Sequence, residues 1–345
     1  MAYGMAAIPA GPGPATSGGF WLNQNVLVPQ YITTIDSCSF SHGSRDSHVI
    51  NFSGWDGQGS LMIIYAGYYE DSSGYNSING FRTLNNTQIV FTRKEKDHDG
   101  GYTMRAHIYK LWPQANRGYG MSFENSSDIL ALGDNATVPS CIWVWEGTIN
   151  NTLQLPDIAG YDTNYNMVFA NFNSTEAGLY RNGNTLEVYR NFPNMYPGDK
   201  NTTNFGGSLY AYVVIFNNRP QGAIPHNGGF NIYSPNGQKC MFSTYTTPML
   251  SQKILPVAGG DSGVSHPMPL IPRSTGTMAH FDGNKISLHR RSIMINGSTI
   301  YNGDGPRYWF YDSQWGSPIN NRDPVNASYP VLNAADYFGS IRRII

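Results

Sequence analysis

From Phe20 onward, short apolar runs alternate with clusters of Asn, Gly, Pro and Asp every 8–15 residues. That rhythm belongs to antiparallel β structure. The clearest strand is 102–112, YTMRAHIYKLW, in which Tyr102, Met104, Ala106 and Ile108 face one way and Thr103, Arg105, His107 and Tyr109 the other. It is expected to pair with 87–93 (TQIVFTR) across the charged loop KEKDHDGG. Further strands are expected at 47–53, 60–66, 140–146, 165–171, 185–190, 208–216, 229–233, 239–244, 277–281, 285–289, 292–296 and 307–311. Asn236-Gly237 and Gly283-Asn284 stand between strand-like runs, and both dipeptides tolerate the positive φ of tight hairpins.

The first expectation is therefore an all-β fold of antiparallel β-sandwich modules with long loops and an extended N-terminal arm. Residues 1–19 are rich in Gly, Pro and Ala, without periodicity, and form that arm. Residues 20–220 read as a β-rich domain of one or two sub-domains and 221–345 as a C-terminal β module. The segment 251–276, SQKILPVAGGDSGVSHPMPLIPRSTG, is a Pro/Gly-rich linker or long ordered loop inside that module.

Composition sharpens the picture. Among 345 residues there are 34 Asn and 38 Gly but only 7 Lys and 6 Glu, so the usual occupants of exposed helical faces are scarce. A mainly helical protein is excluded. Charged residues are 13% of the chain and the net charge is −1, which argues against a nucleic-acid partner. The longest apolar run, Leu209 to Phe216 (LYAYVVIF), is far too short to span a bilayer. The opening MAYGMAAIPAGPGPATSGG lacks the charged start and apolar stretch of a secretory leader. Cys38, Cys141 and Cys240 are widely spaced and set among apolar neighbours, so free, buried thiols on strands are expected rather than a disulfide or zinc site.

Candidate chemistry is sparse. The segment GGDSGVSH (259–266) resembles the nucleophile motif of chymotrypsin-like serine proteases, which would make Ser262 the nucleophile; Asp128 in SSDILAL would be the orienting acid. Val264-Ser265 follows where that family has Gly-Pro, and the available base, His107, lies mid-strand, so the motif reads as a turn. Across the Gly283-Asn284 hairpin, His280, His289 and Asp282 share one face, a set of divalent-metal type that reads instead as an exposed strand face. The sequence nominates no catalytic residue, no metal and no cofactor. Nine Asn-X-Ser/Thr triplets read as the by-product of an Asn/Thr-rich β surface. Two aromatic clusters stand in polar, turn-rich surroundings: GYYEDSSGYNSINGF (67–81) and GPRYWFYDSQWGSP (305–318). Tyr68, Tyr69, Tyr75, Tyr308, Trp309, Tyr311 and Trp315 are the candidate binding residues, since such rings suit carbohydrate stacking or protein interfaces.

The stretch 218–250 resembles a pattern of minor tail and tail-tip proteins of long-tailed bacteriophages. A Pro-rich lead is followed by Gly229-Phe230-Asn231-Ile232-Tyr233, the Asn236-Gly237 turn and Met241-Phe242-Ser243-Thr244. The opening Met1-Ala2-Tyr3-Gly4-Met5 is also similar to the start of such proteins. The resemblance implies a virion structural protein of the distal tail (tip or fibre), made in the host cytoplasm and acting in host-surface recognition without catalysis. Its implied partners are other tail proteins, further copies of itself in a homo-oligomer, and a bacterial surface protein or glycan. Capsid decoration, or a polysaccharide- or peptide-cleaving virion enzyme, is the alternative.

Overall fold

The structure is a computed structural model. It describes residues 6–7, 20–21, 28–40, 47–55, 57, 60–68, 78–93, 102–111, 122–125, 128–131, 137–191, 204–218, 231–233, 240–243, 249–273, 277–282, 285–312 and 327–338. In the N-terminal part, β1 (Ala6–Ala7) pairs with β2 (Phe20–Trp21). Six longer strands follow: β3 (Gln30–Phe40), β4 (Ser47–Asn51), β5 (Ser60–Tyr68), β6 (Ile78–Asn85), β7 (Gln88–Arg93) and β8 (Tyr102–Leu111). They form two three-stranded antiparallel sheets, β3-β8-β5 and β4-β7-β6. A small hairpin joins β9 (Ser122–Asn125) to β10 (Asp128–Ala131).

A ten-stranded sheet dominates the remainder. Its members are β11 (Ser140–Asn150), β12 (Thr152–Gln154), β13 (Asn166–Asn171), β14 (Ser174–Asn182), β15 (Thr185–Arg190) and β16 (Ser208–Asn217). After the hairpin β17 (Asn231–Tyr233) and β18 (Cys240–Ser243), and β19 (Lys253–Pro256), the sheet gains β20 (Gly259–Asp261). Beyond β21 (Pro267–Pro269) it takes β22 (Thr277–Asp282), β23 (Lys285–Asn296) and β24 (Thr299–Asp312). The strand order is β13-β16-β11-β12-β15-β14-β23-β24-β20, with β22 also on β23. A last strand, β25 (Ser328–Asn333), lies between β19 and β21 in a three-stranded sheet.

The large sheet folds back on itself. β13 and β14 are five places apart in its order, roughly 24 Å in a flat sheet. Yet Arg181 Nη1 on β14 donates to the Asn166 carbonyl on β13 at 2.8 Å. Two leaves, β13-β16-β11 and β12-β15-β14-β23-β24, therefore face each other. Between them lie Val168, Ala211, Val213, Ile215, Leu179, Val188, Ile293 and Ile300. The other face of the first leaf, with Phe169, Tyr212, Val214 and Phe216, packs in one cluster with Ile63, Phe91 and Ile108 of the N-terminal sheets. β16 is thus buried on both sides, which is why its sequence is a continuous apolar run rather than an alternation.

The all-β, antiparallel fold class holds: the helices among the described residues are two three-residue 3₁₀ turns, Thr163–Tyr165 and Ala334–Asp336. Among those residues no helix is long and apolar enough to cross a membrane. The expected pairing of 102–112 with 87–93 is overturned. β8 lies between β3 and β5, and β7 lies between β4 and β6. Residues 106–111 of β8 are buried on both faces, so this strand needed a neighbour on each edge and a layer on each side. The strands that flank 236–237 and 283–284 pair as β17/β18 and β22/β23, the two turns themselves lie outside the described residues, and the runs 285–289 and 292–296 belong to one strand. β1, β2, β3, β6, β9, β10, β12, β14 and β25 lie outside the expected strand runs. The segment 251–276 contributes β19, β20 and β21, and the large sheet takes strands from both sides of residue 220. Cys141 is free and buried, while Cys38 lies on β3 and Cys240 on β18.

Candidate functional site

The sequence-nominated aromatic residues are separated along the fold. Tyr68 is the last residue of β5. Tyr308, Trp309 and Tyr311 lie on β24, where Trp309 is opposite Leu288 and Tyr311 opposite Ile286. Tyr69, Tyr75 and Trp315 lie outside the described residues.

A different aromatic group is assembled on the outer face of the second leaf. β15 alternates Leu186 and Val188 inward with Thr185, Glu187 and Tyr189 outward. Register places Tyr180 opposite Glu187, and Tyr189 bridges to Phe205. The rings of Tyr180, Tyr189 and Phe205 form two edge-to-face contacts, with centroids 6.0 and 5.5 Å apart. Phe205 is 39% exposed, unusual for so large an apolar ring. Beside them Glu187 accepts from the Tyr189 hydroxyl at 2.8 Å and from Asn182 Nδ2 at 2.9 Å. Burial raises the Tyr180 phenol to about 12, and Glu187 adds to the effect. On the same strand Thr185 donates to Gln154 at 3.0 Å; on the other face of the first leaf Tyr210 donates to Glu146. Tyr189 itself is buried and Tyr180 partly so, which leaves Phe205 as the ring with stacking area, next to carboxylate and amide oxygens that are fixed acceptors for hydroxyl-rich ligands. The TLEVYR alternation carried this face in the sequence; Phe205, isolated in NFGG, carried no such signal.

A second concentration of polar chemistry surrounds the turn 162–166. Four of its five carbonyls are met by a side chain from another part of the fold. Asn217 Nδ2 donates to Asp162 O at 3.0 Å, Arg273 Nη2 to Thr163 O at 3.2 Å, and Arg181 Nη1 to Asn166 O at 2.8 Å. His107 Nε2 meets Asn164 O at 3.2 Å, and a carbonyl only accepts, so Nε2 carries the proton. In the neutral ring Nδ1 then accepts from the Thr34 hydroxyl at 2.7 Å, and Thr34 is bonded to Tyr31 Oη. Burial lowers the His107 pKa to about 4, partly offset by its bond to Asn164 and reinforced by Arg105, Arg273 and Arg181. Tyr165 stacks on His107 at 5.2 Å, and the Arg105 guanidinium lies 6.0 Å from the Tyr165 ring centre.

The remaining candidates are structural in their bonding. The buried Ser262 donates to Ser298 O at 2.7 Å and accepts from the Val264 amide at 3.1 Å. Asp128 lies on β10. His289 is fully buried, which corrects the exposed-face reading; its Nε2 is 2.7 Å from Ser287 Oγ and its Nδ1 3.3 Å from Gly305 O. Register does place His280 diagonally across from it, beside Met278. Among the described residues no three His, Cys, Asp or Glu side chains gather as metal ligands.

The chain matches no curated protein and no solved structure. The model of a family of unknown function, DUF6453, matches residues 4–314. With that match covering most of its length, the chain belongs to the DUF6453 family.

Proposed function

We propose that this protein is a structural component of a phage virion at the distal tail, at the tip or on a fibre, where it takes part in recognising or attaching to the bacterial surface. The observation that carries the reading is the outer sheet face on which the exposed Phe205 ring, backed by the partly buried Tyr180 and the buried Tyr189, lies beside Glu187 and Asn182. Such a face binds by ring stacking and by hydrogen bonds to fixed oxygens, with no bond made or broken. The paired strands β17 and β18 support it, because they lie in the part of the chain that resembles tail-tip proteins. On this reading the protein is made in the host cytoplasm, assembles with other tail proteins and further copies of itself, and meets a surface protein or glycan.

Immunogold electron microscopy of phage particles, with antibody against the purified chain, tests the location. Gold at the far end of the tail is the expected result. Gold on the head would replace the receptor role with capsid decoration, and unlabelled particles with an accessible epitope would return an enzyme to consideration. The face itself is tested by Phe205→Ala and Glu187→Gln, which are expected to reduce adsorption of particles to host cells while leaving the melting temperature nearly unchanged. Wild-type adsorption by both variants would remove this face from the mechanism.

A further inference from the structure

Arg181 projects from β14 into the interior and is 3% exposed. Its Nε donates to Gly183 O at 3.1 Å and its Nη1 to Asn166 O at 2.8 Å, while its buried Nη2 has no hydrogen-bond partner among the described residues. Guanidinium cannot shed its charge, so a buried one with a free donor is costly unless an anion completes it. The charge around it makes the imbalance larger. Arg273, half-buried, bonds to the same turn through Thr163 O, and Arg105 lies over Tyr165 at its edge. Burial, with Arg273 adding repulsion, holds the Arg181 pKa well below its ordinary value. Among the described residues Asp36 is the one carboxylate hydrogen-bonded to any of these three arginines, and it is on Arg105 at 2.8 Å. Asp162, whose charge acts on Arg273, spends Oδ1 on the Asn164 amide at 2.9 Å.

We propose that Arg181 and Arg273, with Arg105 at the rim, form a binding site for an oxyanion: a carboxylate, phosphate or sulfate group. The free Arg181 Nη2 is the inner donor, and Arg273 supplies the outer guanidinium, the planar fork that matches such anions. The Asn166 and Thr163 carbonyls hold both side chains in place, so the donors are fixed before the anion arrives. The site draws on three separate parts of the fold and is independent of the outer aromatic face.

Isothermal titration calorimetry and thermal melts of the full chain with inorganic phosphate, sulfate and acetate, each at ionic strength matched with sodium chloride, test this. Saturable binding of at least one oxyanion, with a matching rise in melting temperature, is expected; which of the three binds tightest identifies the natural group. Arg273→Gln, at a half-buried position, is expected to fold and to weaken binding by about tenfold or more. Arg181→Lys is expected to weaken it comparably, while Arg82→Gln, an exposed arginine on β6, keeps wild-type affinity. Crystals soaked in selenate should show anomalous density beside Arg181 Nη2. Absence of saturable binding, equal binding by Arg273→Gln, or an equal effect from chloride would overturn the proposal.

Discussion

His107 shows how one residue's surroundings set a property of the whole chain. Its folded pKa of about 4, against 6.5 for a free imidazole, follows from burial among Arg105, Arg181 and Arg273. Between pH 6.5 and 4 the unfolded chain takes up a proton that the folded chain refuses. Stability therefore rises with pH through that window and is lost as pH falls, by roughly 3 kcal/mol from this group at the acid end. Urea denaturation of wild type and His107→Gln checks this: the variant's deficit at pH 7.5 should shrink by about 2 kcal/mol at pH 4.5. A deficit independent of pH would mean that His107 titrates as a free imidazole. Gly259 is a second residue-scale constraint. Its φ is 95°, and a Cβ there would overlap the Ile300 carbonyl oxygen across the β20/β24 pair. Gly259→Ala should cost more than Gly260→Ala, whose added methyl meets open space, and chemical denaturation of the two variants checks the order.

At the scale of the element, β16 carries both cores. Phe216 is fully buried and makes edge-to-face contacts with Phe169 at 5.6 Å and Tyr337 at 5.4 Å. Phe216→Ala is expected to destabilise by about 3–5 kcal/mol, whereas Leu84→Ala, at a position 45% exposed, should stay within about 0.5 kcal/mol. Denaturant midpoints of the two variants give the comparison. Hairpins are the other element whose origin is local. Gly183, φ 57°, begins the two-residue turn between β14 and β15, and Gly297, φ 59°, that between β23 and β24. Glycine at the first turn position supplies the twist that antiparallel strands require. The sequence signal was present at both, in RNGNT and INGST, and marks β14 as legible although it was not expected as a strand.

At the scale of the molecule, the ten-stranded sheet joins distant stretches of chain. β14 is hydrogen-bonded to β23, and the bridge Phe169 to Leu270 ties β13 to the segment after β21. The N-terminal sheets close one face of the first leaf, with Tyr31 and Thr137 exchanging backbone bonds at 2.7 and 3.0 Å. Residues 1–220 and 221–345 expressed separately should each fail to give a cooperative melt, and mixing them should restore β-sheet circular dichroism. Independent cooperative melting of either piece would establish a domain boundary at 220. The reason for the expected failure is that Leu179, Val188 and Ile293 occupy one core.

The sequence by itself determined the class of secondary structure and the position of most strands. Period-two alternation, turn residues and the shortage of Lys and Glu are local properties, and they report local geometry. Beyond the pairs flanking 236–237 and 283–284, it did not determine which strands pair. β7 and β8 are neighbours in the chain, with eight residues between them, yet each pairs elsewhere, because pairing is chosen by burial on two faces and two edges at once. The same holds for the sites. The aromatic runs at 67–81 and 305–318 stood out in the sequence because their residues are contiguous. By contrast, Tyr180, Tyr189 and Phe205, and likewise Arg105, Arg181 and Arg273, are scattered along it. Tyr180 and Tyr189 meet through the β14/β15 pair and Phe205 through its bridge to Tyr189, whereas only the folding of one sheet back upon itself, and the packing of the N-terminal sheets against it, bring the three arginines to one turn, and no local pattern encodes a contact made across that distance.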